Sequence, residues 1–293
     1  MSDEYIVFHI NGSPDKDLVG TSVINSLKEA NPSKKIVVVT HSPEVWIHNP
    51  DVYRVYKHGA TPYFYKDFIE DKKTRVLALD PYLTSDYIYK KKHLAEIWCD
   101  LIETKYNNSL PKIYLTQREE EVAWHLSKTD EKLAIIQPFE TYGYPNLVTT
   151  WTKDLPFDVV QKVVNAMRSA GYLIIQIKNE NQPTFVGAQP IALNLRLTMA
   201  TIKYTEKRLF VDSFAMQTAT AFRLPSVVTW TTSLPKLKGY KMHENIFAKI
   251  DTKMKEKMDE YSPVFDVTGQ LAAQNIDMSN AFSSDEIIKK LKI

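Results

Sequence analysis

Apolar residues fall into two rhythms along this chain. Short runs rich in Val, Ile and aromatics, "YIVFHI" (5–10), "KIVVVT" (35–40), "VYRVYK" (52–57) and "RVLALD" (75–80), have the length and composition of buried strands. Between the first two lies "DLVGTSVINSLKEANP", where Leu18, Val23, Ile24 and Leu27 share one helical face and Asn31-Pro32 ends the helix. Leu94, Ile97, Trp98, Leu101 and Ile102 repeat with the spacing of a helix packed on a sheet. The scheme then recurs. "LAIIQP" (133–138), "YLIIQI" (172–177), "LFVD" (209–212) and "SVVTW" (226–230) read as strands, and "DVVQKVVNAMRSAG" as a helix that buries Val159, Val160, Val163, Val164 and Met167 and stops at Gly171. A final helix is expected in "SSDEIIKKLKI", with Ser284 as its cap.

Strands alternating with helices of this length make parallel sheets covered on both faces. Two such series predict an α/β chain of two Rossmann-like domains. The polar stretch "LSKTDEK" (126–132) is the expected boundary, giving domains 1–130 and 131–293.

Composition narrows the classes. The longest apolar runs are far shorter than the roughly 20 residues a membrane-spanning helix needs. "MSDEYIVFHI" lacks the basic-then-apolar pattern of a signal peptide, so the cytoplasm is the expected compartment. The formal charge of +2 exerts no strong pull towards nucleic acid. One basic patch, Lys90, Lys91 and Lys92 after two tyrosines, reads as a solvated loop before a helix. The single cysteine, Cys99, excludes an internal disulfide framework and sits beside an apolar helical stripe, where packing is its expected role.

In doubly wound sheets, ligands bind beyond the carboxyl ends of the strands, where helix N-termini offer unpaired N–H groups. "RLFVDSFAMQTATAFRLPSVVTW" (208–230) ends a strand in Asp212 and starts a helix at Ser213, leaving the N–H groups of Phe214, Ala215 and Met216 to meet an anion such as a diphosphate. "HINGSPDKD" follows the first strand and supplies Asp15 and Asp17, either of which could take the proton of an incoming hydroxyl. Neither a dinucleotide-type nor a P-loop glycine fingerprint is present, and the seven histidines are scattered along the sequence without metal-ligand spacing. No metal or cofactor is indicated.

The order of these segments resembles glycosyltransferase family 9, the ADP-heptose:lipopolysaccharide heptosyltransferases. "DLVGTSVINSLKEANPSKKIVVVT" is similar to the family's opening strand-helix-strand, and "NPDVYRVYKHG" to its next segment. "LAIIQPFETYGYPNLVTTWTKDLPFDVVQKVVNAMRSAGYLIIQI" is similar to the stretch carrying His-Pro-Gly and Lys-Arg-Trp-Pro, and "LFVDSFAMQTATAFRLPSVVTW" to the D-S-G-P-M-H-L-A-A signature. The resemblance implies the GT-B architecture, two Rossmann-like domains whose parallel sheets face a central cleft, the first binding acceptor and the second a nucleotide sugar. It implies inverting sugar transfer from a nucleoside-diphosphate sugar to a hydroxyl acceptor. Asp17 would be the catalytic base with Asp15 its rival, Lys153 would meet the donor phosphate, and Thr141, Glu180, Asp212, Ser213, Phe214, Met216 and Gln217 would line the donor pocket.

This chain departs from the family pattern at four positions. Phe214 and Phe139 stand where the family has glycine, Gln217 where it has histidine, and Leu155 where it has tryptophan. Phenylalanines at two phosphate-binding turns are expected to narrow the space, so that the donor differs from ADP-heptose, sits differently, or no longer binds. The acceptor is open between lipopolysaccharide or another glycan and a hydroxymethylated DNA base. Peripheral membrane contact is also open, and a non-catalytic GT-B binding protein is the alternative to an enzyme.

Overall fold

The computed structural model describes residues 4–128, 131–140, 150–191, 193–259, 270 and 276–293. The chain divides into two compact units after Gln117. The first contains β1 (Glu4–His9), α1 (Pro14–Ala30), β2 (Lys35–Thr40), β3 (Arg54–Lys57), α2 (Phe64–Phe68), β4 (Lys73–Leu77), α3 (Ser85–Ile88) and α4 (Leu94–Leu101). Its strands form a parallel sheet in the order β3-β2-β1-β4. One face carries Tyr5, Val7, Val37, Val39 and Tyr56 under Phe64 and Phe68 of α2. The fully buried Phe8, on the opposite face, meets Trp98 of α4 at a centroid distance of 5.1 Å.

The second unit begins with α5 (Gln117–Ser127) and continues through β5 (Lys132–Gln137), α6 (Phe157–Ser169), β6 (Tyr172–Gln176), β7 (Ala188–Pro190), α7 (Leu195–Lys203), β8 (Lys207–Val211) and α8 (Phe214–Ala221). It closes with β9 (Val227–Trp230), α9 (Pro235–Lys238), β10 (Glu244–Phe247), α10 (Thr252–Asp259) and α11 (Ser284–Leu291). Six parallel strands run β10-β9-β8-β5-β6-β7. Val160, Val163, Val164 and Met167 of α6 are fully buried against the sheet and α11, each contributing about 1.5–3 kcal/mol of transfer free energy. Gly171 takes the positive φ of 82° that ends α6 in a left-handed turn.

The division lies earlier than the expected boundary at residue 130. Helix α5 is charged along its first turn and makes its bonds within the second unit, where Arg196 of α7 grips Glu119 through Nε (2.8 Å) and Nη2 (2.6 Å), and Lys203 meets Glu120 at 2.7 Å. A polar interruption in the sequence marks the end of α5, whereas the units separate at its start. The cap of α11 is Ser283, whose hydroxyl accepts the Glu286 N–H at 3.4 Å; Ser284 is the first helical residue.

Candidate functional site

A strand order that reverses direction leaves a gap between the two strands at the reversal, and in parallel sheets both carboxyl ends open on it. In the second unit the chain runs β5-β6-β7 one way and β8-β9-β10 the other, so the reversal lies between β5 and β8. Gln137 ends β5, and Asp212 and Ser213 follow β8, which brings these residues to one edge.

The apolar run Leu209–Val211 carries Asp212 into the interior, where it is 2% exposed. Burial pushes its carboxyl up, but Lys153 at 3.7 Å, Lys238 at 3.6 Å and the Ser233 hydroxyl at 2.8 Å outweigh that and hold it below the ordinary carboxylate value. Asp212 is therefore ionised at neutral pH. Ser213 occupies the N-cap of α8 in extended backbone, yet its hydroxyl caps nothing. Its Oγ and Asp212 Oδ1 are buried without a hydrogen-bond partner among the described residues. Gln137 Oε1 accepts the Ala215 N–H at 3.3 Å, and its Nε2 donates to Glu140 at 2.9 Å. A helix start, two ammonium groups and two unsatisfied oxygens thus share the edge, the chemistry of a site for a phosphate-bearing, hydroxyl-rich ligand.

Two further residues hold this edge in shape. Asp154 accepts the Glu140 N–H at 2.5 Å and the Thr150 N–H at 2.6 Å, fixing the approach to Lys153; burial nevertheless pushes its carboxyl up to about 7. Gln217, almost wholly buried, donates to the Lys238 carbonyl at 3.0 Å and accepts from the Tyr240 hydroxyl at 3.0 Å. It ties α8 to α9, and so sets where Lys238 stands.

Among the other expected pocket residues, Met216 is fully buried in the apolar cluster with Ile135, Ile177 and Phe210, and could meet a ligand only through its backbone. Glu180 lies exposed in the turn after β6, and Thr141 lies outside the described residues. The two phenylalanines do not narrow the turns as expected. Phe139 is 2% exposed, stacked on Phe185 at 5.4 Å in the core under α6, and Phe214 packs against the cluster around Met216. Both rings find apolar surface, which an aromatic side chain at the edge of a core does whenever the backbone allows. Leu155 is likewise core.

In the first unit Asp17 is fully buried, its Oδ1 accepting from Thr40 Oγ1 and Trp46 Nε1 at 2.6 Å each, while Oδ2 has no partner among the described residues. Burial raises its carboxyl to about 7. Asp15, two residues earlier, is half-buried and takes a short hydrogen bond from Ser13. Cys99 is buried and its thiol is pushed up to about 12 by desolvation, a packing residue without thiolate chemistry. Lys91 and Lys92 of the basic patch pair with Asp86 (3.0 Å) and Asp100 (2.7 Å) at the surface. Among the described residues no three His, Cys, Asp or Glu side chains are arranged to hold a metal ion, and no helix is long and apolar enough to cross a membrane.

Solved structures share this fold. A glycosyltransferase family 9 protein from Veillonella parvula DSM 2008 matches over 98% of this chain and 96% of its own, at 15% identity and a TM-score of 0.69. TibC, an iron-containing dodecameric glycosyltransferase from enterotoxigenic E. coli H10407, matches over 99% and 75%, at 11% identity and a TM-score of 0.71. E. coli ADP-heptose LPS heptosyltransferase II matches over 85% and 91%, at 12% identity and a TM-score of 0.59. The fold is that of the GT-B glycosyltransferases. No family model matches the sequence, and neither does any curated protein.

Within this GT-B fold, three site residues escaped the sequence reading. Lys238 lies among the lysines that follow the last predicted strand, Asp154 stands beside Lys153, and Gln137 is near the end of the predicted strand 133–138. Only Gln137 carried a usable signal, since a polar residue closing a buried run at a strand's carboxyl end points at the ligand edge.

Proposed function

We propose that this chain is a glycosyltransferase that moves a sugar from a nucleoside-diphosphate sugar to a hydroxyl acceptor with inversion at the anomeric carbon. The observation that carries this reading is the pair of buried, unpartnered oxygens, Asp212 Oδ1 and Ser213 Oγ, beside Lys153 and Lys238 at the strand reversal. Ionised Asp212 can only accept hydrogen bonds, so it orients the two lysines and offers Oδ1 to a donor hydroxyl. Lys153, Lys238 and the first N–H groups of α8 take the diphosphate, with Ser213 donating to one of its oxygens. Glu180 and Thr141 remain donor contacts in this reading, Glu180 for a ribose.

Asp15 is the base. A base must touch the proton it takes, and Asp15 is half open to solvent where Asp17 is enclosed. As the acceptor oxygen passes its proton to Asp15 it bonds to the anomeric carbon, and the bond from that carbon to the diphosphate oxygen breaks. The charge left on the diphosphate falls to the lysines and the helix start. Asp17, through Thr40 and Trp46, holds the first turn of α1 that carries Asp15. A glycan is the acceptor class this reading favours, and the cytoplasm, where nucleotide sugars are made, is its compartment.

A binding protein that has lost transfer is favoured by one observation, the enclosure of the family-matched Asp17. Thermal stabilisation by a panel of nucleoside diphosphates and their sugars separates the cases. A ligand that raises the melting point of the parent and not of Lys153→Ala supports the donor site. Slow hydrolysis of that sugar nucleotide, lost in Asp15→Asn, supports transfer; binding without any turnover supports the binding protein, and no stabilisation at all refutes the donor site.

A further inference from the structure

The strand register gathers three of the seven histidines. His9 closes β1, His41 follows β2 and His58 follows β3, and the ladder continues past β3 through the His58 N–H bonded to the Thr40 carbonyl at 2.7 Å. Tyr5 and Val7 of β1, Val37 and Val39 of β2, and Tyr56 of β3 share one face under α2. Side chains alternate along a strand, so His9, His41 and His58 extend that apolar face to the carboxyl edge of the sheet. There they touch. The rings of His41 and His58 stack at 4.5 Å and 24°, and His9 meets His58 edge-on at 5.0 Å. His41 and His58 are exposed and His9 is half-buried.

His9 is held below its ordinary value first by burial and then by His58 and His41. Charged groups on the flanking elements are Asp15 and Lys16 at the start of α1, Glu44 in the turn after β2, Lys57 at the end of β3, and Lys66 and Asp67 on α2. Lys16 is committed to Asp80 at 2.9 Å and Asp67 lies 4.0 Å from Arg54, and no imidazole of the cluster forms an ion pair with a carboxylate among the described residues. The cluster is not arranged to hold a metal ion. What it lacks is a counter-charge, and it stands at the sheet edge where such folds take ligands.

We propose that His9, His41 and His58 form an anion site of the first unit that takes a phosphoryl or carboxylate group and gains protons as it binds. The bound anion offsets the repulsion between imidazolium rings, so binding and protonation favour one another. This inference stands whether or not the chain transfers a sugar.

The test is calorimetric titration of the intact chain with sodium sulfate, whose charge is constant across the range, and with sodium acetate as the carboxylate probe, at about pH 6 and about pH 8. Repeating each titration in buffers of different ionisation heat counts protons taken up. We expect sulfate to bind at the lower pH with proton uptake, more tightly than acetate and at least about tenfold more tightly than at the higher pH. His41→Gln and His58→Gln should each weaken it by about tenfold, whereas Lys153→Ala should not. Both substituted side chains are exposed, and unchanged circular dichroism checks the fold. Absence of sulfate binding, or binding lost in Lys153→Ala and kept in both histidine variants, overturns the proposal. Stoichiometric Zn2+ binding lost in the histidine variants, with no heat from sulfate, also overturns it and makes the cluster a metal site.

Discussion

The two units repeat one scheme and end it in opposite ways. In the first, the strand order reverses between β1 and β4, and that position is filled from within. Lys16, 3% exposed, donates to Asp80 at 2.9 Å and to the Asn11 carbonyl at 2.8 Å, with its ammonium 4.8 Å from the Tyr82 ring. In the second, the reversal between β5 and β8 holds the unpartnered oxygens of Asp212 and Ser213. The same order over the strands at the reversal thus holds an enclosed lysine paired with Asp80 in one unit and, beside two lysines that pair with Asp212, oxygens without a hydrogen-bond partner among the described residues in the other. A fold offers the position; side chains determine whether a ligand is needed to complete it.

This contrast can be broken by experiment. The largest effect is expected at the second edge, where Lys153→Ala and Lys238→Ala should each lower kcat/KM by about 100-fold or more, as removal of a group that stabilises developing charge does. Steady-state kinetics with the donor found by thermal stabilisation will show it, and an effect of Lys153 alone would remove Lys238 from the site. Next, Lys16→Ala should destabilise the first unit by about 3 kcal/mol in urea unfolding, because it removes an enclosed cation bonded to Asp80 and the Asn11 carbonyl and empties a buried position, whereas Lys153→Ala, which leaves Lys238 on Asp212, should cost less. Equal small losses for both would erase the distinction drawn above.

A smaller effect is expected at Gly239. A methyl group there would sit 2.7 Å from Pro235 Cα and 2.8 Å from Trp230 Cζ2, so Gly239→Ala should cost about 2 kcal/mol and weaken the donor response by shifting α9 and with it Lys238. Retention of the full donor response in a folded Gly239→Ala variant would show that Lys238 is not held this tightly.

The smallest concerns pH. Asp17 is raised in the folded state to about 7 from an ordinary 3.8, so between these values the folded chain keeps a proton that the unfolded chain has lost. Stability therefore falls as pH rises through that window, on the order of 1 kcal/mol per pH unit, and levels off above it. Asp17→Asn should flatten that slope in the first unit, leaving the like contribution of Asp154 in the second. Asp212, held low, acts in the opposite sense: its contribution is present above the ordinary carboxylate value and is lost as pH falls below its own. An unchanged slope in Asp17→Asn would mean that Asp17 is ionised where it lies.

Much of the fold was written in short-range pattern. The short runs read as strands became strands, and β1, β2, β5, β8 and β9 are buried along nearly their whole length, as a parallel sheet covered on both faces demands. The three-residue β7 and the polar β10 at the two edges of the second sheet carry no such run, and α7 hides its periodicity behind Thr198 and Thr201. Asp212 and Ser213 stood out because they lie between β8 and α8, whereas Lys153 was singled out through the family resemblance alone. Lys238, Asp80 and the three histidines owe their meaning to register and strand order, which bring together residues far apart in the chain. Phe139 was misread for a related reason: a motif position tells where the backbone runs, not which way a larger side chain turns.

Helix α11 imposes an order on biosynthesis. Ile287 and Leu291 are buried in the same cluster as Val160 and Val164 of α6, and the Leu291 carbonyl receives the Lys207 ammonium beside the start of β8. At about 5–20 residues per second, a ribosome has assembled all of the first unit many seconds before residue 291 exists. The first unit, closed by its own ion pair, can fold in that interval. The second must wait with part of its apolar surface uncovered, which makes it the segment of the nascent chain with most reason to engage a chaperone.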